Sequence, residues 1–351
     1  MFQMNLSAPI NICLGITNKC NLSCKHCYVS NTRHNKDLTT EELLNIISQI
    51  KELNVFDVDI FGGEPLVRKD FFIILEALAK FKIGICLNTN GILVTKDIAR
   101  RLSKYYIRLY VVSLDGSSSK IQDPVRGKGS FKKSIEGIRN LVTEKCRVFI
   151  ATTVTRFNYK DLENVVLLCK KLGVEGILFN KLIYMGKAAC EPDLIMSPKE
   201  RFKLLARVKD LKSRYGRFVG GSILDTCNMM ETVTEDSEER FPIKIHTCLA
   251  ANTKCAIRPD GWVTPCEILW YVKAGDLKRQ SLYDIWHNSP VMKEFRRPMY
   301  LAENEIPGCK GCKYLNICYR YSRCQPYYYP GRFKHKEFYC WKDDIKAVTA
   351  I

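Results

Sequence analysis

Nowhere in the 351 residues is there an apolar run approaching the ~18–20 residues that a membrane-spanning helix needs. The opening segment, MFQMNLSAPINIC, lacks the basic n-region and small-residue cleavage site of an export signal. Blocks of consecutive like charge and low-complexity stretches are also missing, as is any signature of an RNA- or DNA-binding module. Membrane and nucleic acid are therefore not expected partners. What the chain has in excess is basic charge and cysteine. Its 55 Lys+Arg against 37 Asp+Glu give a formal charge of +18, and it carries 17 cysteines. A chain without an export signal belongs in a reducing cytosol, where structural disulfides are rare, so so many cysteines point first to metal. Hydrophobic residues at 46% and charged residues at 26% are globular proportions and exclude a disordered chain.

From residue 10 to about 183 one unit repeats: a short β-branched run, a polar loop and an amphipathic stretch. The strand-like runs are Ile10–Thr17, Phe56–Phe61, Ile83–Thr89, Ile107–Leu114, Arg147–Thr155 and Val174–Leu182. Between them the spacing predicts helices at Thr40–Leu53, Asp70–Lys80, Thr95–Ser103, Phe131–Thr143 and Tyr159–Leu172. Such alternation implies right-handed crossovers and a parallel sheet, either an open partial barrel or a doubly wound sheet. In both, the loops after the strand C-termini carry the active site. Ser197-Pro198-Lys199-Glu200 then reads as the capped start of a helix running to about Tyr215. From His246 onward periodicity fades and eight of the cysteines appear, which predicts a metal-stapled module of low regularity. The implied division is 1–190, a connecting region 191–245, and 246–351.

Cys20-x3-Cys24-x2-Cys27 follows the first strand directly. Three thiolates this close can hold three irons of a cubane and leave the fourth open to an exogenous ligand. The alternative is a zinc knuckle that borrows His26. The second strand ends in Gly62-Gly63-Glu64-Pro65, the third in Asn88-Thr89-Asn90-Gly91, and the fourth in Ser113-Leu114-Asp115-Gly116. Small polar residues and glycine thus gather at one sheet edge, where backbone can approach a ligand and a carboxylate can accept from an ammonium group.

In these features the sequence resembles the radical S-adenosylmethionine (SAM) enzymes, with His26 in the aromatic slot of their cysteine motif. The resemblance implies a partial (β/α)6 barrel and a [4Fe–4S] cluster on Cys20, Cys24 and Cys27 whose open iron chelates SAM. It carries SAM contacts onto Gly62, Gly63 and Glu64, then onto Asn88, Thr89, Ser113 and Arg126. It also implies the reaction: an electron from the reduced cluster breaks the S–C5′ bond, and the 5′-deoxyadenosyl radical abstracts a substrate hydrogen. A reductant such as flavodoxin or ferredoxin would supply that electron.

The C-terminal cysteines are similar to the SPASM extension of the same family. Cys248, Gly261 and Cys266 fit its first block and Cys309, Cys312 and Cys318 its second, while the spacing from Cys318 to Cys324 is longer than the family pattern. By resemblance one auxiliary cluster takes Cys248, Cys255, Cys266 and Cys324, and the other takes Cys309, Cys312, Cys318 and Cys340, making three [4Fe–4S] clusters in all. Two zinc sites are the alternative. Glu267, next to Cys266, matches the place of a catalytic acid in the sulfatase-maturing branch. Such enzymes mostly modify ribosomally made peptides, and the short segment before strand one implies that any leader-peptide reader is a separate protein. Oxidation of a tetrapyrrole side chain is a second reading; a non-catalytic iron–sulfur or zinc scaffold is a third.

Overall fold

Six βα units follow one another as the sequence predicts, in a computed structural model that describes residues 6–30, 36–224 and 249–296. Cys227, Cys248, Cys309, Cys312, Cys318, Cys324 and Cys340 lie outside the described residues. The strands are β1 (Asn11–Thr17), β2 (Asp57–Gly62), β3 (Gly84–Thr89), β4 (Leu109–Ser113), β5 (Val148–Val154) and β6 (Gly176–Lys181). The helices between them are α1 (Thr40–Glu52), α2 (Phe71–Lys80), α3 (Lys96–Leu102), α4 (Ser119–Arg126), α5 (Ser130–Thr143) and α6 (Leu162–Leu172). In α1, Thr39 and Glu42 form a capping box, and Leu43, Ile46, Ile47 and Ile50 supply one buried face at helical spacing. The sequence does not announce α4, because Pro124 interrupts an eight-residue helix.

The six strands lie side by side in chain order and all run parallel. A doubly wound sheet needs a reversal of strand order, and none occurs here, so the alternatives resolve to the partial barrel. After α7 (Pro198–Tyr215), capped by Ser197 and Glu200 as its sequence predicts, β7 (Val219–Gly220) extends the sheet beyond β6.

On the other side the sheet continues into the region where the sequence shows little regularity. There β8 (Lys254–Ile257) pairs parallel to β1, β9 (Trp262–Thr264) antiparallel to β8, and β10 (Gly275–Asp276) antiparallel to β9. Helices α8 (Leu282–Asn288) and α9 (Pro290–Arg296) follow. Strands of four, three and two residues are too short to show an alternating pattern. Their side chains nonetheless join the barrel core: Ile257, Val263, Trp286, Met292 and Phe295 pack in one cluster with Ile12, Leu14 and Ile60. Gly15 on β1 permits this, since a Cβ there would meet Pro259 Cδ and Trp270 Cη2, each at 2.9 Å. Among the described residues no helix is long and apolar enough to cross a membrane.

Candidate functional site

The loop that carries Cys20, Cys24 and Cys27 leaves the C-terminal end of β1 and is tied to the ends of several other strands. Asp37 accepts from Thr17 Oγ1 (2.6 Å) and the Asn18 amide (2.8 Å). The Gly63 amide donates to Thr17 O (2.7 Å) and the Glu64 amide to Lys19 O (2.8 Å). Gly62 and Gly63 make that approach possible: a Cβ on either would run into the carbonyls of Thr17 or Lys19. Farther along, the Lys25 amide donates to Val125 O (2.9 Å), and the Lys187 amide, from the loop after β6, donates to Cys27 O (3.0 Å). Burial pushes the Cys24 thiol up to about 11 against the pull of the Arg126 guanidinium. Binding iron would have to overcome that cost by replacing the proton.

Glu64 is buried, with 1% exposure. Its Oε1 accepts from Thr89 Oγ1 (2.7 Å) and from the Leu66 amide (3.3 Å), and its Oε2 accepts from the Asn90 amide (2.7 Å). Burial raises its pKa to about 7, against the opposing effect of the Asn90, Thr89 and Leu66 hydrogen bonds. The predicted residues at the ends of β2 and β3 therefore form one unit. Asn90 Nδ2 extends it to Asn21 Oδ1 on the cysteine loop (2.7 Å), and Asn88 Nδ2 donates to Ile60 O (3.3 Å). Ser113 closes β4, paired in register with Ala151.

Arg126 sits at the end of α4, and its Nε donates to Asp115 Oδ2 at 2.6 Å. His26 Nε2 donates to the same oxygen at 2.7 Å, and the Thr153 amide donates to Asp115 Oδ1 at 2.9 Å. Burial alone would push the Asp115 carboxyl up; Arg126 and His26 reverse this and hold it well below the ordinary carboxylate range. The sequence gives Asp115 only as a strand-end polar residue, and this pairing is not legible from spacing because it joins segments 89 positions apart. Of the two His26 ring nitrogens, Nε2 is engaged by Asp115.

Glu267 faces the barrel interior near β1 and β8. Its Oε1 accepts from Lys254 Nζ (2.9 Å), and Cys13 Sγ lies 3.5 Å from its Oε2. Cys13 also approaches Asp59 Oδ2 (3.7 Å). Burial raises the Cys13 thiol, and Glu267 adds to the effect; burial likewise raises Asp59. Cys13 thus faces a polar group with Glu267, Lys254 and Asp59. Strand alternation and the pairing of Cys13 with Asp59 are the signals that could have found it. Tyr271 OH reaches Tyr28 O (2.9 Å), joining the segment after Glu267 to the cysteine loop. Of the predicted auxiliary ligands, Cys255 and Cys266 fall among the described residues, both buried.

This site and fold define a class of protein, an iron–sulfur enzyme that handles SAM on a partial barrel. The radical SAM superfamily model matches residues 14–169 and the SPASM iron–sulfur cluster-binding domain model matches residues 248–313. The chain thus carries a radical SAM domain and a SPASM domain. It is 27% identical over 323 residues to the mycofactocin maturase MftC of Mycolicibacterium smegmatis, covering 90% of this chain and 79% of that protein. It is also 27% identical to the AdoMet-dependent heme synthase of Methanosarcina barkeri, covering 95% and 97%. The fold is similar to that of Streptococcus suis SuiB bound to its precursor peptide SuiA, with a TM-score of 0.71, 20% identity, and coverage of 92% and 73%. The chemistry of its donors fits an iron–sulfur cluster: three cysteine thiols on one anchored loop.

Proposed function

We propose that this enzyme modifies a ribosomally made peptide. The observation that carries the proposal is the likeness to a peptide maturase over 90% of the chain, together with a polar group inside the barrel below the cysteine loop. In this reading residues 1–190 form the catalytic barrel, 191–245 connect, and 246–351 hold two auxiliary clusters, giving three cubanes per chain. Cys20, Cys24 and Cys27 would hold the cluster, which when bound would supply the electron for reductive cleavage of SAM. The chain's own residues do the rest. Gly62 and Gly63 let the cysteine loop close on β2. Glu64, Asn88, Thr89, Ser113 and Arg126 orient SAM, and Glu267, paired with Lys254, takes a substrate proton.

A formal charge of +18 favours an acidic leader segment, presented directly or by a separate leader-binding protein. Flavodoxin or ferredoxin would serve as reductant. The heme synthase relative, matched over 97% of its length, favours a second reading with a polycarboxylate tetrapyrrole as substrate. The test is to supply the reduced, reconstituted enzyme with SAM and either a deuterated precursor peptide encoded beside its gene or an iron coproporphyrin. Deuterium passing from the peptide into 5′-deoxyadenosine supports peptide maturation. Turnover of the tetrapyrrole alone overturns it.

A further inference from the structure

The reaction outlined above leaves Asp115 and His26, the buried groups that flank Arg126, without a task of their own. We propose that Asp115 and His26 are positioning residues that clamp the Arg126 guanidinium beside Cys24 and Cys27, and that this fixed charge sets the reduction potential of the cluster held there. The inference rests on the reading that Cys20, Cys24 and Cys27 carry the SAM-binding cluster.

The three side chains are exposed by only 10%, 2% and 7% for His26, Asp115 and Arg126, so water screens the Asp115 and Arg126 charges weakly. Both donors converge on one carboxylate oxygen, at 2.7 and 2.6 Å, while the other oxygen is fixed to the β5 backbone through Thr153. The clamp is therefore anchored to the sheet through Asp115 as well as to the cysteine loop through His26. Two further contacts hold α4 against the cysteine loop: the Lys25 amide on Val125 O at 2.9 Å and Cys24 Sγ on Arg126 O at 3.9 Å. Burial opposes the Arg126 charge and Asp115 restores it, with Cys24 and Cys27 close enough to add to that effect.

A cubane gains a full negative charge on reduction. A nearby fixed cation stabilises the reduced form and raises the potential, and a nearby anion lowers it. The two partners in the clamp therefore act with opposite sign. A purely structural role would not produce that signature, since losing either partner would loosen the loop in the same way.

The experiment is an EPR-monitored redox titration of the fully reconstituted protein. The N-terminal cluster is recognised by the change in its reduced signal when SAM is added. Arg126→Gln should shift its midpoint to lower potential, and Asp115→Asn, which keeps the shape and an acceptor for the Arg126 Nε, should shift it higher. Arg126→Lys should recover part of the loss. Should Arg126→Gln fail to hold iron, a higher midpoint in Asp115→Asn with a near-wild-type value in Arg126→Lys supports the clamp. Unmoved midpoints, or shifts of the same sign in the Asp115 and Arg126 variants, overturn it. A wild-type protein with no SAM-responsive cluster signal would instead refute the reading on which the inference rests.

Discussion

Glu64 concentrates the site's physical chemistry in one side chain. Its carboxyl is buried and tied to β3 by Thr89 and Asn90, and its pKa of about 7 stands above the ordinary 4.5. A folded pKa above the unfolded one means that the folded corner binds the proton more tightly. Its stabilising contribution is full below the unfolded value and is lost as pH rises through 7. Corrected for intrinsic exchange chemistry, the Asn90 amide should open more readily at about pH 8 than at about pH 6, and Glu64→Gln should abolish that dependence. If Glu64 also holds the SAM ammonium, the same variant should bind SAM more weakly by about 1–3 kcal/mol, the scale of a charge-assisted hydrogen bond. Isothermal titration under anaerobic conditions checks this. Unchanged affinity with an altered exchange profile would confine Glu64 to the turn.

At the scale of elements, the strands of the barrel and its helices other than α4, which Pro124 interrupts, were legible from their periodicity. The capped start of α7 was legible because Ser197, Pro198 and Glu200 each have a local role there. The β8–β9–β10 ladder was not, since it exists only through pairing with β1 and through Gly15, which lets Pro259 and Trp270 approach. The same limit hid Asp115: its partners come from the cysteine loop, α4 and β5, and only the folded sheet brings them together. The cysteine loop and the strand-end motifs were legible because chemistry, not tertiary context, dictates their spacing.

The ladder also revises what cluster loss should do. Sequence alone predicts that metal supplies much of the folding free energy after residue 246, yet Ile257, Val263, Trp286 and Phe295 are buried in the barrel's own core. In the double variant Cys266→Ala with Cys312→Ala, anaerobic proteolysis should therefore spare 249–296 and fall beyond it. Peptide mapping decides this, and early cuts within 254–264 would mean that the ladder needs the clusters to form.

For the whole molecule the account makes one demand: that the cysteine loop be the place where SAM is cleaved. The chain sets Cys20, Cys24 and Cys27 at the open end of a parallel barrel and ties their loop to the ends of several strands. The most direct test is to reduce the anaerobically reconstituted protein with dithionite, add SAM, and quantify 5′-deoxyadenosine and methionine by mass spectrometry. Wild type should form both. Cys24→Ala should form neither while keeping roughly two thirds of its iron and sulfide, as expected if one of three cubanes is lost. Intact SAM with the wild-type protein fully loaded, or cleavage persisting in Cys24→Ala, would contradict the account.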